Sequence, residues 1–275
     1  MHRIIRGNAS GSPAAAGAGR SARALKRLRE RTSGWLFPGA CILCGGDCGT
    51  RALCTRCSAD LPRARAACSR CGIPIPHGGA ICTTCRVEPP PFLFTHSALL
   101  YEPPVSEMIG AMKFGPSLLM AAALGEALAD DLRRSRGWHD AVARHPHDAT
   151  RRSGSTRPLL VPIPLDRGRR RLRGFDQANE IARVVSKACN VAYSTKLLVR
   201  CRPTAPQTSL GSRRARIANL RGAFEVARAH HVPLVPAVLI DDVMTTGATA
   251  SEAARALLRA GIPQVGVWTV ARTPR

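Results

Sequence analysis

The second half of the chain alternates short apolar runs with stretches in which apolar residues recur at helical spacing. The runs at 159–164, 237–242 and 265–270 are rich in Val, Leu and Ile and predict buried strands. The helical repeats lie at 176–188 and 249–260. Strands that alternate with helices are typical of a parallel sheet with helices on its faces. The pattern therefore predicts the α/β fold class.

A further strand and two helices are predicted upstream of this region. Residues 97–101 read SALLY and predict a strand, and apolar spacing predicts helices at 105–113 and 117–134. The apolar face of the second helix consists of Ala121, Leu124, Leu128 and Leu132. Residues 135–157 are polar and repetitive, so we interpret them as an inserted loop.

The N-terminal third has a different composition. Residues 1–20 are rich in Gly, Ser, Ala and Pro and predict a mobile tail, and a basic helix is predicted at 21–31. An Arg- and Ala-rich start of this kind is also typical of organellar transit peptides, but we favour a charged or docking helix. We divide the chain into a basic, partly disordered segment at 1–35, a cysteine-rich module at 36–90 and an α/β domain at 91–275.

The chain is strongly basic, with 41 Lys and Arg against 18 Asp and Glu and a net charge of +23. Such a charge is typical of proteins that meet polyanions, although the coding bias of a GC-rich genome gives the same composition. No apolar run approaches the roughly 18 residues of a membrane span, and no secretory h-region is present. We therefore expect a cytoplasmic protein without a membrane span.

Nine of the eleven cysteines lie between Cys41 and Cys85, and eight of these form Cys-X-X-Cys pairs. In a reducing compartment such pairs bind metal more often than they form disulfides. Two pairs complete one tetrahedral zinc site, so we predict one or two structural Zn²⁺ ions. The predicted ligands are Cys41, Cys44, Cys54, Cys57, Cys68, Cys71, Cys82 and Cys85. Either successive pairs share an ion, as 41/44/54/57 and 68/71/82/85, or alternating pairs do, as 41/44/68/71 and 54/57/82/85.

Segment 238–262 carries the most informative chemistry. Asp241 and Asp242 follow three apolar residues, at the end of the strand where open parallel sheets place their ligands. A short hydroxyl-rich loop, 245–249, then leads into a helix. A tight loop at a helix N-terminus binds anions through free N–H groups and the helix dipole. Two carboxylates beside a phosphate would repel it unless they bind hydroxyl groups or a divalent cation. A ribose 5-phosphate, which carries both a phosphate and hydroxyls, therefore fits this segment.

This segment resembles the motif with which type I phosphoribosyltransferases bind phosphoribosyl pyrophosphate (PRPP). The strings at 161–182, 204–224 and 268–273 resemble signatures of the ComF/GntX family of competence-associated proteins. With the cysteine block, the resemblance covers roughly residues 36–273. One departure is Asp176, where the family pattern leads us to expect Asn.

The resemblance implies a type I phosphoribosyltransferase-like sheet with an N-terminal double zinc ribbon. It implies Asp241 and Asp242 as catalytic residues, with Mg²⁺ accompanying PRPP. The implied PRPP-binding residues are this acid pair together with Thr245, Thr246, Gly247, Ala248 and Thr249. The regions at 164–175 and 202–221 correspond to the pyrophosphate loop and the mobile loop that closes over the ligand. Their candidate functional residues are Arg169, Arg173, Gln207, Arg216 and Asn219.

The resemblance therefore implies an enzyme that transfers phosphoribosyl from PRPP to an acceptor that the sequence does not identify, in connection with DNA uptake. The alternative is a non-catalytic protein that binds PRPP or nucleic acid and acts on incoming single-stranded DNA. Under either hypothesis the expected partners are PRPP, single-stranded DNA and a helicase of the uptake machinery.

Overall fold

The computed structural model describes residues 39–64, 66–75, 80–115, 117–135, 157–204, 218–227, 232 and 234–274. The chain divides after Cys57 into two compact units, Met1–Cys57 and Ser58–Arg275. This division falls inside the cysteine block, and the boundaries expected at residues 35 and 90 stay predictions. Residues 1–38, with the expected tail and basic helix, and 136–156, most of the expected inserted loop, lie outside the described residues.

Strands and helices alternate through most of the described chain. The strands are β1 (Thr95–Leu100), β2 (Leu159–Pro162), β3 (Leu198–Arg200), β4 (Phe224–Val226), β5 (Ala237–Met244) and β6 (Val265–Arg272). The helices are α1 (Thr55–Ala59), α2 (Thr83–Val87), α3 (Val105–Phe114), α4 (Leu118–Arg134), α5 (Arg167–Arg173), α6 (Gln177–Cys189) and α7 (Ala248–Arg259).

The two cysteine segments have the same local turn. In the first unit the N–H of Gly45 donates to the carbonyl of Cys41 at 2.8 Å. In the second unit the N–H of Gly72 donates to the carbonyl of Cys68, also at 2.8 Å. Both glycines have positive φ, 78° and 67°, which a side chain would strain. This internal repeat agrees with a duplicated ribbon.

A parallel sheet forms the centre of the second unit. Four strands pair in the order β1-β6-β5-β2, and every neighbouring pair is parallel. All eight residues of β6 are buried, because β6 has a strand on each side and helices over its faces. The expected parallel α/β architecture is confirmed. Strand β5 continues two residues beyond the predicted end, through Val243 and Met244.

The helices bury the faces that their apolar spacing predicts. In α4, Ala121, Leu124, Leu128 and Leu132 are all buried, which confirms the predicted face. Helix α4 begins where the Ser117 side chain accepts a hydrogen bond from the N–H of Met120 at 3.3 Å. Helices α4 and α6 pack together beside the sheet.

Three small elements of the α/β region, two strands and a helix, have no signal in the sequence pattern. Strands β3 and β4 form a separate antiparallel pair of three residues each. Helix α5 lies within residues 164–175, the predicted pyrophosphate loop. It begins where Asp166 accepts from the N–H groups of Gly168 and Arg169, and it ends at Gly174 with φ 76°. Because this helix is rich in arginine and buries no residue, its sequence has no apolar period from which a helix could be predicted. Its two ends are set by the capping residues.

None of the helices among the described residues combines the length and the hydrophobicity that crossing a membrane requires.

Candidate functional site

The acid pair lies near the carboxyl end of β5. Asp241 and Asp242 each orient a carboxylate through a local bond, since Asp241 accepts from the N–H of Asp242 at 2.9 Å and Asp242 accepts from the N–H of Val243 at 2.8 Å. Burial and the neighbouring Asp242 carboxylate raise the pKa of Asp241 well above its ordinary value of 3.8. The two adjacent carboxyl groups therefore have different electrostatic environments.

The loop after β5 forms an open pocket at the start of α7. The pocket is lined by Asp241 and residues 243–250 and holds about 270 Å³ of empty space, open solvent included. Gly247 has φ 76° and precedes the helix, so a left-handed residue turns the chain directly into α7. The first turn of a helix offers N–H groups without intrahelical partners, and it carries the positive end of the dipole. The predicted loop residues and Asp241 therefore line one pocket, and Asp242 is not among its lining residues. A helix N-terminus of this kind can bind an anion.

Lys113, at the carboxyl-terminal end of α3, extends the site to a third element. Its ammonium group lies 2.9 Å from the Asp242 carboxylate, and the two side chains are 26% and 13% exposed. Burial disfavours the charge on Lys113, but the carboxylates of Asp242 and Asp241 outweigh this effect and raise the pKa of the ammonium group. Lys113 was not a predicted site residue, because it is far from the acid pair along the chain.

Arginines of α5 and β3 interact electrostatically with the acid pair. Burial lowers the pKa of Arg173, and the Asp242 carboxylate acts in the opposite direction. Burial and the neighbouring charge of Arg169 lower the pKa of Arg200, and the carboxylates of Asp166 and Asp241 act in the opposite direction. The guanidinium of Arg200 lies over the ring of Phe224 at 5.2 Å. These shifts place both guanidinium groups in the electrostatic field of the acid pair. Arg173 was a predicted site residue, whereas Arg200 was not.

Thr204 is a shared contact of two arginines. The guanidinium of Arg169 donates to the Thr204 carbonyl at 3.0 Å, and the guanidinium of Arg200 donates to its hydroxyl. Two further candidates, Gln207 and Arg216, lie outside the described residues. Asn219 lies beyond that gap, where its carbonyl accepts a hydrogen bond from Arg202 at 2.9 Å. Of the predicted loop residues, Arg169 therefore contacts Thr204, and the backbone carbonyl of Asn219 contacts Arg202.

Asp176, the departure noted in the sequence, uses both carboxylate oxygens. One accepts from the N–H of Leu165 at 2.9 Å, and the other accepts from the N–H of Asn179 at 3.3 Å and caps α6. Burial raises the pKa of Asp176. Because an amide offers one acceptor oxygen and a carboxylate offers two, Asp satisfies both N–H groups of this turn.

The cysteines form two separate clusters, one within each unit. The clusters are Cys41, Cys44, Cys54 and Cys57, and Cys68, Cys71, Cys82 and Cys85, with the sulfurs of each within 4.8 Å of one another. Successive pairs therefore share a site, and the interleaved arrangement does not occur.

The sulfur spacing fits zinc. The Cys44 and Cys54 sulfurs are 3.8 Å apart, and those of Cys71 and Cys82 are 3.7 Å apart. A tetrahedron with Zn–S bonds of about 2.3 Å has edges of about 3.8 Å, whereas a disulfide brings sulfurs to about 2.05 Å. The donor set therefore supports structural Zn²⁺ in both clusters.

Backbone N–H donors lower the pKa of one cysteine thiol in each cluster. Burial opposes ionisation of Cys41, but N–H groups including those of Cys44 and Cys54 outweigh it and lower the pKa of this thiol to about 6. The pKa of Cys68 falls to about 7 through the same balance between burial and N–H donors. Since zinc binds the thiolate, these donors favour the form that coordinates the metal.

We expect purified protein to carry two zinc ions per chain, one for each cluster. Cys54→Ser and Cys82→Ser should each reduce the zinc content to about one, because replacing a thiolate by a neutral hydroxyl removes one of the four strong ligands of a structural site and weakens its hold on the ion. Elemental analysis of the folded proteins measures this content. A wild-type value near one would contradict the two-site assignment.

Comparisons with known proteins agree with these features. The family model of the double zinc ribbon domain matches residues 32–86. The DNA utilization protein YhgH of Escherichia coli (strain K12) is 32% identical over 190 residues, which cover 68% of this chain and 75% of that protein. The YhgH of Salmonella typhi is 33% identical over 187 residues, with the same coverage.

A fourth similarity extends the comparison to a competence protein. Competence protein F of Haemophilus influenzae is 30% identical over 142 residues, which cover 49% of this chain and 62% of that protein. The resemblance found in the sequence motifs is thus confirmed by relatives that match two thirds of the chain. The chain belongs to the ComF/GntX family, with competence protein F and YhgH among its relatives.

Proposed function

We propose that this protein binds PRPP with Mg²⁺ at the carboxyl end of β5 and transfers its phosphoribosyl group to an acceptor during the handling of incoming DNA. The observation that carries the proposal is that Asp241 and the open N-terminus of α7 line one pocket, with Asp242 next to Asp241 in β5. Together they present the two kinds of group that a ribose phosphate needs. Carboxylate oxygens accept hydrogen bonds from the ribose hydroxyls, and N–H groups donate hydrogen bonds to the phosphate.

The 5-phosphate would bind to the loop 245–249, where the hydroxyls of Thr245, Thr246 and Thr249 supplement the N–H groups of the first turn of α7. Asp241 and Asp242 would accept hydrogen bonds from the ribose hydroxyls. Lys113, beside Asp242, compensates the charge that two carboxylates bring near a phosphate.

The pyrophosphate would leave toward the arginines of α5. Arg169 and Arg173 offer planar guanidinium groups, which bind phosphate oxygens through two parallel hydrogen bonds. Positive charge develops at C1 of the ribose as the bond to pyrophosphate breaks, and the cations would stabilise the departing charge. Mg²⁺ supplies further neutralisation of the pyrophosphate, and carboxylate oxygens such as those of the acid pair are the ligand type that it prefers.

Two relatives give the biological context of this proposal. They are named a DNA utilization protein and a competence protein, and these names support a role in DNA uptake. The proposed partners are single-stranded DNA and a helicase of the uptake machinery, and the proposed location is the cytoplasm. The second candidate, a non-catalytic protein that binds PRPP or nucleic acid, is favoured by α5. This helix carries five arginines in seven residues and buries none of them.

Calorimetric titration of PRPP with Mg²⁺ into zinc-loaded protein tests the proposal. We expect micromolar binding that is lost in the Asp241→Asn/Asp242→Asn double variant, because amides offer fewer acceptors and no charge. Pyrophosphate release that requires single-stranded DNA, together with a gain of phosphoribosyl mass by that DNA, would establish transfer and exclude hydrolysis of PRPP. No binding by folded wild-type protein would contradict the proposal, and salt-dependent binding of DNA alone would then favour the second candidate.

A further inference from the structure

Arg272, at the end of β6, joins the second zinc cluster to the proposed phosphate loop. Its side chain is almost completely buried, since the residue is 4% exposed. The Nε donates to the carbonyl of Cys71 at 2.9 Å, and Nη1 donates to the carbonyl of Met244 at 2.9 Å and to that of Thr245. One guanidinium therefore holds the backbone of a cluster ligand and the backbone at the start of the loop.

The cluster side of this bridge is anchored to the sheet. The Thr95 hydroxyl donates to the carbonyl of Arg70 at 2.7 Å, and the Thr95 N–H donates to the carbonyl of Ser69 at 2.9 Å. A Cβ on Gly72 would lie 2.9 Å from the Thr95 side chain, so the Cys68–Cys71 turn packs closely against β1. The position of this turn therefore fixes where the Cys71 carbonyl meets Arg272.

The loop side leads directly into the pocket. Met244 ends β5, Thr245 begins the 245–249 loop, and both residues line the pocket. The carbonyl of Met244 also accepts from the N–H of Thr273 at 3.2 Å, so the end of β6 holds this carbonyl through side chain and backbone together. A shift of Arg272 would move the first residues of the anion-binding loop.

We propose that Arg272 is a positioning residue that couples zinc in the Cys68, Cys71, Cys82 and Cys85 cluster to the binding of a ribose phosphate at the 245–249 loop. Without the metal the Cys71 turn loses the constraint that four ligands give it, and the buried guanidinium loses a fixed acceptor. The inference rests on the proposed function, because it assumes that this loop binds phosphate.

Coupling of this kind is reciprocal. If zinc in this cluster strengthens binding of the phosphate ligand, the ligand must strengthen retention of the zinc by the same factor. The wild-type protein therefore suffices for a first test. The probe is ribose 5-phosphate, which carries the phosphate and the hydroxyls but no pyrophosphate.

The experiment is an equilibrium competition for zinc between the protein and a chromophoric chelator, with and without saturating ribose 5-phosphate. We expect the ligand to increase the zinc affinity of one cluster by about fivefold or more and to leave the other unchanged. Cys82→Ser should weaken ribose 5-phosphate binding by the same factor, whereas Cys54→Ser, the same lesion in the first unit, should not.

Arg272→Lys separates coupling from folding, because Lys keeps the charge but cannot hold acceptors on both sides with a planar fork. We expect this variant to bind both zinc ions and to lose the effect of ligand on zinc affinity. Arg255→Lys is the matched control, since Arg255 is half exposed and pairs with Glu252 on its own helix. Circular dichroism and thermal unfolding check that each protein is folded.

The outcomes are distinguishable. Ribose 5-phosphate binding with no change in the zinc affinity of either cluster would overturn the coupling and leave the proposed function in place. An Arg272→Lys protein that keeps the full effect would overturn the role of Arg272. Absence of ribose 5-phosphate and PRPP binding by the wild-type protein would overturn the proposed function and the coupling together. If Cys82→Ser does not fold, the zinc competition with the wild-type protein and with Arg272→Lys still tests the coupling.

Discussion

Asp242→Asn should destabilise the fold, and the same change at the neighbouring Asp241 should stabilise it. Asp242 forms a 2.9 Å ion pair with Lys113, and removing its charge leaves a largely buried ammonium group without its principal partner. Losing a hydrogen bond to a charged group costs about 1–3 kcal/mol. Asp241 is itself disfavoured as an anion by burial and by Asp242, so a neutral amide relieves that cost. Both variants should lose binding of PRPP.

The pH dependence of the stability distinguishes the effect of Asp241→Asn from that of Asp242→Asn. Because the pKa of Asp241 is raised in the folded state, the folded protein binds this proton more tightly than the unfolded chain does. Wild-type stability therefore decreases as pH rises from the ordinary value of 3.8 through the raised pKa. Thermal unfolding at pH 5 and 7.5 should show a larger advantage of Asp241→Asn at the higher pH. A destabilised Asp241→Asn protein at pH 7.5 would contradict the assigned environment.

Gly266→Ala should destabilise the sheet by about 1–3 kcal/mol, the range for overpacking a filled site. A Cβ on Gly266 would overlap the ring of Phe94, and the backbone carbonyl of Phe94 accepts a hydrogen bond from the N–H of Val267 at 3.0 Å. The ring must therefore leave its place against β6. Denaturant titration of the zinc-loaded protein measures the change in the free energy of unfolding.

The same substitution at Gly110 is the matched control. Gly110 lies inside α3, and no described atom is within 4 Å of the Cβ that Ala would add there. Replacing a glycine in a helix by alanine stabilises by about 0.5–1 kcal/mol, because the unfolded chain loses freedom. Equal effects at the two positions would show that the Phe94 contact does not determine the result at Gly266.

Much of the architecture was predictable because strands and helices leave a local period in the sequence. The buried strands β2, β5 and β6 and the face of α4 follow from apolar spacing alone. The acid pair and the 245–249 loop were predictable for a related reason, since a strand, a loop and a helix in sequence bring their chemistry to one edge of a parallel sheet.

The remaining site residues were hidden because their contacts depend on distant parts of the chain. Lys113 in α3 forms an ion pair with Asp242. Arg272 donates to the carbonyl of Cys71, which lies 201 residues earlier in the sequence. Lys113 has no distinctive sequence pattern around it, and the family-like string 268–273, which contains Arg272, does not indicate what Arg272 contacts. In a chain with 41 basic residues, charge alone does not indicate which cation enters the site. A fold is needed to identify them.

The order β1-β6-β5-β2 has a consequence for synthesis of the protein on the ribosome. Strand β1 acquires its neighbour β6 only after roughly 160 further residues have been made, which at 5–20 residues per second takes about 10–30 s. During this interval the edge of β1 has unpaired N–H and C=O groups, the feature through which nascent strands aggregate. The sheet therefore closes in a late step, and expression at a reduced translation rate lengthens the exposure of β1.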